Sequence, residues 1–87
     1  MMKTFKFVIS TPDGNFFDGN IVKVSVRGVE GELAVLANHT PLVTSVKPCR
    51  CNIEFEDGTE KTFEVERGLL SVASENVTLM SGSAKWV

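Results

Sequence analysis

His39 is the only histidine of the chain, and histidine is the side chain best suited to proton transfer near neutral pH. A histidine that activates a nucleophile also needs an orienting carboxylate within reach. Its nearest candidates in sequence, Thr40 and Glu32, form no recognised catalytic motif with it. The flanking Asn38 and Pro41 are turn-forming residues. The pattern therefore favours a loop histidine that makes a structural hydrogen bond or lies at a partner surface.

Glu30 and Glu32 flank Gly31 and could form an acid–base pair of carboxylates. A carboxylic acid that donates a proton near neutral pH needs an apolar pocket that raises its pKa, and this turn supplies none. We therefore expect solvated carboxylates on a tight turn, or an acidic contact for a basic or polar partner.

Cys49 and Cys51 are separated by one residue. In a β-strand both thiols point to the same face, with Cα atoms about 6.5–7 Å apart, which is poor geometry for a disulfide. Two thiols also cannot complete a zinc site without further ligands. We expect two reduced thiols.

Six carboxylates lie between Glu54 and Glu66, against the single cation Lys61. Their alternation with apolar residues predicts the outward faces of one hairpin, which is a solvated surface that resists aggregation. The spacing matches no calcium loop, and the glycines of the chain match neither a phosphate-binding loop nor a dinucleotide fingerprint. The sequence therefore predicts no catalytic residue, no metal site and no cofactor.

The length of 87 residues corresponds to one domain over residues 1–87. A net charge of -2 argues against nucleic acid as a partner, because phosphate binding needs a basic face. No apolar run approaches the roughly 20 residues that span a bilayer, and the first residues do not resemble a signal peptide. We expect this chain to meet a membrane only through another protein.

Five segments alternate between apolar and polar residues, which is the pattern of half-buried β-strands. The predicted inward positions are Phe5, Phe7, Ile9, Val22, Val24, Val26, Ile53, Phe55, Phe63, Val65, Val77 and Leu79. Leu33–Leu36 and Leu69–Ala73 are more uniformly apolar, which favours burial on both faces. Turn signals such as Pro12–Asn15 and Asp18–Asn20 recur too often for an ordinary amphipathic helix. The residues thus predict seven to nine strands in an antiparallel sandwich or small barrel.

The hairpin between Ile53 and Val65 allows a sharper prediction. Its core residues have odd numbers on both arms, and residues paired across a ladder must face the same side. The residue numbers of two paired residues must therefore sum to an even value. This requires the connecting loop to contain an odd number of residues. A two-residue Asp57-Gly58 turn fails this condition, and we expect three or five residues, or a bulge.

One stretch resembles a known family. Val24-Ser25-Val26-Arg27-Gly28-Val29-Glu30-Gly31-Glu32-Leu33, followed by Asn38–Val43 and Val46-Lys47-Pro48, is similar to the epsilon subunit of F-type ATP synthases. That family typically reads V-x-G-x-E-G-E-x-G-I-x-x-G-H-x-P-L-x-T-x-L-x-P-G in this region. Gly68–Val72 with Asn76–Leu79, and Phe7–Pro12 with Phe17–Gly19, extend the resemblance over essentially the whole chain.

The resemblance implies an all-β fold, a flattened antiparallel β-sandwich of about ten short strands. It implies a non-catalytic subunit of the central stalk, or rotor, that links the gamma subunit to the c-ring and couples ion transport to ATP synthesis or hydrolysis. The catalytic head would be an indirect partner, and the location would be peripheral, at the cytoplasmic face of the cell membrane within the synthase. The residues that would dock on the c-ring are Glu30, Gly31, Glu32, Asn38 and His39.

The sequence departs from the family pattern at three places. Ala34–His39 stands where the family has G-I-Y-P-G-H, and Cys49 replaces a glycine after Pro48. The chain ends at Val87, where the family usually continues into two helices that carry an inhibitory brake, so we expect no such brake in these residues.

The alternative is a stand-alone β-sandwich that binds a ligand or a protein. A sugar platform needs exposed aromatic rings, and only Phe16, Phe17 and Trp86 are free of the inward pattern. Trp86 could pack either on the sandwich or on a partner.

Overall fold

The computed structural model describes residues 3–28, 31–37, 40–74 and 76–87. Ten short β-strands and no helix are present in these residues, so the all-β prediction is confirmed, and none of them forms a helix that could span a membrane. The strands are β1 (Phe5–Thr11), β2 (Gly14–Ile21), β3 (Lys23–Gly28), β4 (Gly31–Leu36), β5 (Leu42–Val46), β6 (Cys49–Glu54), β7 (Glu60–Val65), β8 (Gly68–Val72), β9 (Asn76–Ser81) and β10 (Ala84–Trp86).

The strands follow the order β10-β7-β6-β3-β5-β8-β9-β1-β2, and β4 also pairs with β3. β3 and β5 are linked by one residue pair, Gly28 with Val46. We place the boundary between the two layers of the fold at this short link. The result is a sandwich of a β3 layer (β4, β3, β6, β7, β10) and a β8 layer (β5, β8, β9, β1, β2). All pairs are antiparallel except β1 with β9, which is parallel and joins strands far apart in the chain.

The core lies between the layers. Phe7 from the β8 layer and Phe63 from the β3 layer are fully buried, with ring centroids 6.5 Å apart. The predicted inward residues are buried, with the exception of Phe55, which is half-buried because it lies in the loop after β6. The period-two pattern therefore identified most of the core.

The β6–β7 hairpin has the predicted odd loop. Glu54 pairs with Glu60, which leaves five loop residues, 55–59. The Phe55 backbone N–H donates to the Thr59 carbonyl at 2.8 Å, and the Gly58 N–H donates to the Phe55 carbonyl at 3.0 Å. The parity argument is confirmed.

Two sequence predictions about local structure are wrong. Asp18–Asn20 is no turn but lies within β2, where the Phe17 ring approaches to 3.2 Å of the position that a Cβ on Gly19 would take. Leu36 and Leu69 are 51% and 38% exposed, so their strands are not buried on both faces. Each layer of a two-layer sandwich has one face in solvent, whatever residues occupy it.

Aromatic rings close the side of the sandwich where the edge strands β2 and β10 meet. The register of β1 with β2 shifts at Ile9, where Phe16 is the extra residue, so both Phe16 and Phe17 reach Trp86 although they are consecutive. The Trp86 ring lies 4.7 Å from the Phe16 ring, between centroids, and 6.0 Å from that of Phe17. Trp86 thus packs on the sandwich, where it contacts the rings of both Phe16 and Phe17.

Gly68 lies where the backbones of β8 and β9 approach closely, and a substitution at this position tests their packing. A Cβ at this position would collide with the carbonyl oxygen of Met80. We expect Gly68→Ala to lower the free energy of unfolding by about 1–3 kcal/mol, because backbone must move to admit the methyl group. Urea denaturation monitored by Trp86 fluorescence measures the change.

Gly82→Ala is the matched control for Gly68→Ala. A Cβ at Gly82 meets only the Glu66 carboxylate, at 3.3 Å, and that side chain can move away. Equal unfolding midpoints for the two variants would show that the β8–β9 contact does not require glycine.

Candidate docking surfaces

The β3–β4 hairpin carries the described part of the predicted docking set. Gly28 pairs with Gly31, whose φ of 120° lies in the region that favours glycine. Glu32 follows and lies opposite Arg27, with 3.7 Å between Nη2 and Oε1. The two side chains are 60% and 83% exposed, so solvent screens the pair and Glu32 is accessible to a partner. Glu30 lies outside the described residues.

Asn38 and His39 also lie outside the described residues. The segment that contains them follows the end of β4 at Leu36, whereas Gly31 and Glu32 begin that strand. Of the five predicted residues, the structure therefore places two, and it brings them together with Arg27.

The outer face of the β8 layer is uncharged over a continuous area. Register places Ser45 beside Leu69, Leu69 beside Met80, and Met80 beside Ser10. A parallel row contains Val43, Ser71, Thr78 and Val8. These eight residues are called the uncharged face.

Three large apolar side chains of the uncharged face are exposed. Val43 is 65% exposed, Met80 43% and Leu69 38%. Each comes from a different strand, so spacing along the sequence does not reveal the surface. Only strand pairing shows that the outward residues of β5, β8 and β9 form one area, and the available signal was the lack of charge at their outward positions.

The outer face of the β3 layer has the opposite character. Its charged residues are Lys23, Arg27, Glu32, Arg50, Glu54, Glu60, Glu64 and Lys85. They define the charged face, and the predicted outward position of the hairpin carboxylates Glu54, Glu60 and Glu64 agrees with it. The two outer faces thus differ in their content of charged residues. The centres of protein–protein interfaces are depleted of charged residues, and the uncharged face shares this property.

Glu64 lies at the middle of the best-formed ion pairs on the charged face. Its Oε2 accepts a hydrogen bond from Arg50 Nε at 2.9 Å, and its Oε1 lies 3.5 Å from Lys85 Nζ. The hydrogen bond from Arg50, assisted by the charge of Lys85, lowers the pKa of Glu64 below its ordinary value, against a smaller opposing effect of desolvation. The two ion pairs join side chains of β6, β7 and β10 on the solvent-exposed side of the layer.

In the part of the chain that the structure describes, no cluster of three or more His, Cys, Asp or Glu side chains could hold a metal ion. Cys49 and Cys51 are unbonded thiols, as expected from the sequence.

Comparison with known proteins decides the family. The profile of "ATP synthase, Delta/Epsilon chain, beta-sandwich domain" matches residues 4–87. The chain belongs to this delta/epsilon family. The resemblance seen in the sequence motifs is therefore confirmed.

This delta/epsilon chain is similar in sequence to the epsilon chains of two bacteria. It is 40% identical over 86 residues to the sodium ion specific ATP synthase epsilon chain of Acetobacterium woodii, and covers 65% of that protein. It is 35% identical to the ATP synthase epsilon chain of Clostridium novyi, and covers 66% of it. The chain thus spans about two thirds of the length of these curated relatives, and 99% of its own length is matched.

Solved structures contain the same delta/epsilon fold. A chain of the Euglena gracilis mitochondrial ATP synthase, in a structure of OSCP, F1 and c-ring, superposes with a TM-score of 0.91 at 20% identity, over 99% of this chain and 56% of that one. A chain in the central stalk and c-ring structure of the Tetrahymena thermophila mitochondrial ATP synthase gives 0.77 at 15% identity, over 97% and 67%. At these identities the likeness establishes the fold.

The Glu64 contacts in this delta/epsilon sandwich predict a pH effect. In Arg50→Gln the strongest hydrogen-bond donor to Glu64 is lost, so we expect the pKa of Glu64 to rise toward its ordinary value of 4.5. The lowered pKa contributes stability at pH values above 4.5, and this contribution is lost as the pH falls through the folded-state pKa. The variant should therefore lose less stability on acidification than the natural chain.

NMR titration of the side-chain carboxyl carbons measures the pKa of Glu64 directly. Lys85→Gln is the control, and its effect should be smaller because Lys85 contributes less than the Arg50 hydrogen bond. A larger shift in Lys85→Gln than in Arg50→Gln would contradict the assignment.

Proposed function

We propose that this chain is a non-catalytic part of the rotor of an F-type ATP synthase, in which it links the gamma subunit of the central stalk to the c-ring. In this role it couples ion transport to ATP synthesis or hydrolysis by transmitting rotation. It is located at the cytoplasmic face of the cell membrane, where the other subunits of the complex hold it. Support comes from the family membership and from neighbours described as parts of central stalk and c-ring assemblies.

The uncharged face is the observation that carries the proposal. A sheet surface that displays Val43, Leu69 and Met80 among serines and a threonine suits a partner whose own surface is apolar at the centre and polar at the rim. An isolated domain gains little from such a surface, whereas burial against a partner contributes about 25 cal/mol per Å² of apolar area, from which the entropic cost of association is subtracted. We assign this face to the gamma subunit.

The five predicted docking residues are proposed to contact the c-ring. Glu32 is the best placed of those that the structure describes, because its side chain is 83% exposed at the start of β4. Its pairing with Arg27 leaves the carboxylate free to accept hydrogen bonds from polar loops. The proposal extends this role to Glu30, Gly31, Asn38 and His39, with no cofactor or nucleic acid involved.

Binding to gamma is the first test. Isothermal titration of the purified chain with the gamma subunit from the same source, at physiological salt, should give a one-to-one complex. Val43→Glu places a charge on the uncharged face, and we expect it to weaken binding at least tenfold, since burying an unpaired carboxylate opposes association.

Ala34→Glu is the matched control, because Ala34 is exposed on the outer face of β4 in the other layer and receives the same charge. It should bind gamma as the natural chain does. Equal weakening by both variants would refute the assignment of the face. Absence of binding by the natural chain, shown to be folded by circular dichroism, would refute the proposed attachment of this sandwich to the stalk.

The docking turn is tested by Glu32→Gln. Exposed ion pairs contribute about 0–1 kcal/mol, so the variant should fold with nearly unchanged stability. Its complex with gamma should bind a detergent-solubilised c-ring several-fold more weakly than the natural complex. Glu60→Gln, on exposed β7, is the charge-matched control, and unchanged c-ring binding by Glu32→Gln would exclude Glu32 from the contact.

A further inference from the structure

The two thiols at the start of β6 are closer than sequence spacing alone suggests. Cys49 Sγ lies 3.6 Å from Cys51 Sγ, so the sulfur atoms are in van der Waals contact although no bond joins them. Both side chains point inward from the β3 layer, opposite Val65 and Phe63 of β7. Cα spacing in a strand disfavours a disulfide, but the side chains have turned toward each other.

The two sulfur atoms differ in access. Cys49 is half-buried, whereas Cys51 is 2% exposed and belongs to the core. Burial raises the pKa of the Cys51 thiol, with the nearby Cys49 adding to the effect, so the neutral form of Cys51 is favoured. A reagent from solvent can therefore reach Cys49 first, and Cys51 is placed to react with whatever forms there.

We propose that Cys49 and Cys51 form an oxidative modification site, in which a hydroperoxide converts the contacting thiols to an intramolecular disulfide. The Cys49 thiolate attacks a peroxide oxygen, so that an S–O bond forms, the O–O bond breaks, and the leaving oxygen takes a proton to become water or an alcohol. The Cys51 sulfur then attacks the Cys49 sulfur, the S–O bond breaks, and hydroxide leaves with the Cys51 proton as water. Two thiols lose two electrons, and the peroxide gains them.

The environment favours a disulfide over a soft metal ion. A dithiolate that binds a metal must hold both sulfur atoms as anions, and a core position disfavours the anion of Cys51. A disulfide is neutral and apolar, so it remains compatible with burial beside Phe63. The pair also has no third ligand in the described residues that would complete a metal site.

The dithiol lies next to the connection between the two layers. Val46 pairs with Gly28 at the end of β3, and the Lys47 N–H donates to the Arg27 carbonyl at 3.1 Å. Shortening the distance between the sulfur atoms must pull on the first residues of β6, two residues from Lys47. Disulfide formation is therefore expected to shift the backbone next to the β3–β4 turn, and any effect on c-ring binding rests on the function proposed above.

Treatment of the natural chain with hydrogen peroxide tests the chemistry independently of any partner. We expect both free thiols to disappear, the intact mass to fall by two hydrogen atoms, and the chain to remain monomeric on a non-reducing gel. Dithiothreitol should reverse the change. In the amide NMR spectrum, Arg27 and Lys47 should shift on oxidation, whereas Lys6, on the outer face of β1, should not.

Two variants separate the roles of the sulfur atoms. Cys51→Ala keeps an apolar side chain in the core and should accumulate a sulfenic acid on Cys49, trapped by dimedone as one adduct. Cys49→Ala should retain its thiol under the same treatment, because Cys51 is covered. A covalent dimer, a sulfinic acid on Cys49 beside an intact Cys51, or unchanged thiols in the folded natural chain would each overturn the proposal. None of these results depends on binding to gamma or to the c-ring.

Discussion

The contact between the inward faces of the two layers is the constraint on which the rest of the structure depends. Phe7 and Phe63 meet at its centre, and the buried alternate residues of the other strands surround them. Each single layer would expose one apolar face, so the layers are stable only together. The two layers are linked where Gly28 of β3 pairs with Val46 of β5, and the β3–β4 hairpin lies directly beside this junction. Gly31 and Glu32, the described members of the proposed docking set, therefore lie on a strand that is paired with β3.

Successive side chains of a strand point to opposite faces, so burial of every second residue leaves the residues between them on the surface. The two layers therefore present two outer faces of different composition. The β3 layer displays charges that keep its outer face in solvent, and Glu64 forms ion pairs with Arg50 of β6 and Lys85 of β10. On the β8 layer, the uncharged face displays three exposed apolar side chains, and the Lys6–Asp18 ion pair lies beside it.

Closure of the sandwich edge explains why aromatic residues accumulate near Trp86. A bulge at Phe16 allows consecutive rings of β2 to reach β10, and the ammonium group of Lys61 lies 4.9 Å from the Trp86 ring centroid. This arrangement shields the β2 and β10 edges, which could otherwise pair with other strands. Trp86 therefore packs on the sandwich through Phe16 and Phe17, and 41% of its surface stays exposed.

The sequence by itself determined the all-β class, most of the core, the odd length of the β6–β7 loop and the family, because alternation, parity and motif order are properties of neighbouring residues. It failed at Asp18–Asn20, where Gly19 accommodates the Phe17 ring within a strand, and at Leu36 and Leu69, whose exposure depends on which layer covers them. Only the tertiary structure decided that Val43, Leu69 and Met80 form one surface and that the Cys49 and Cys51 sulfur atoms touch. The physical reason is that strand pairing between distant segments and side-chain rotation set these distances, and neither is written in local sequence spacing.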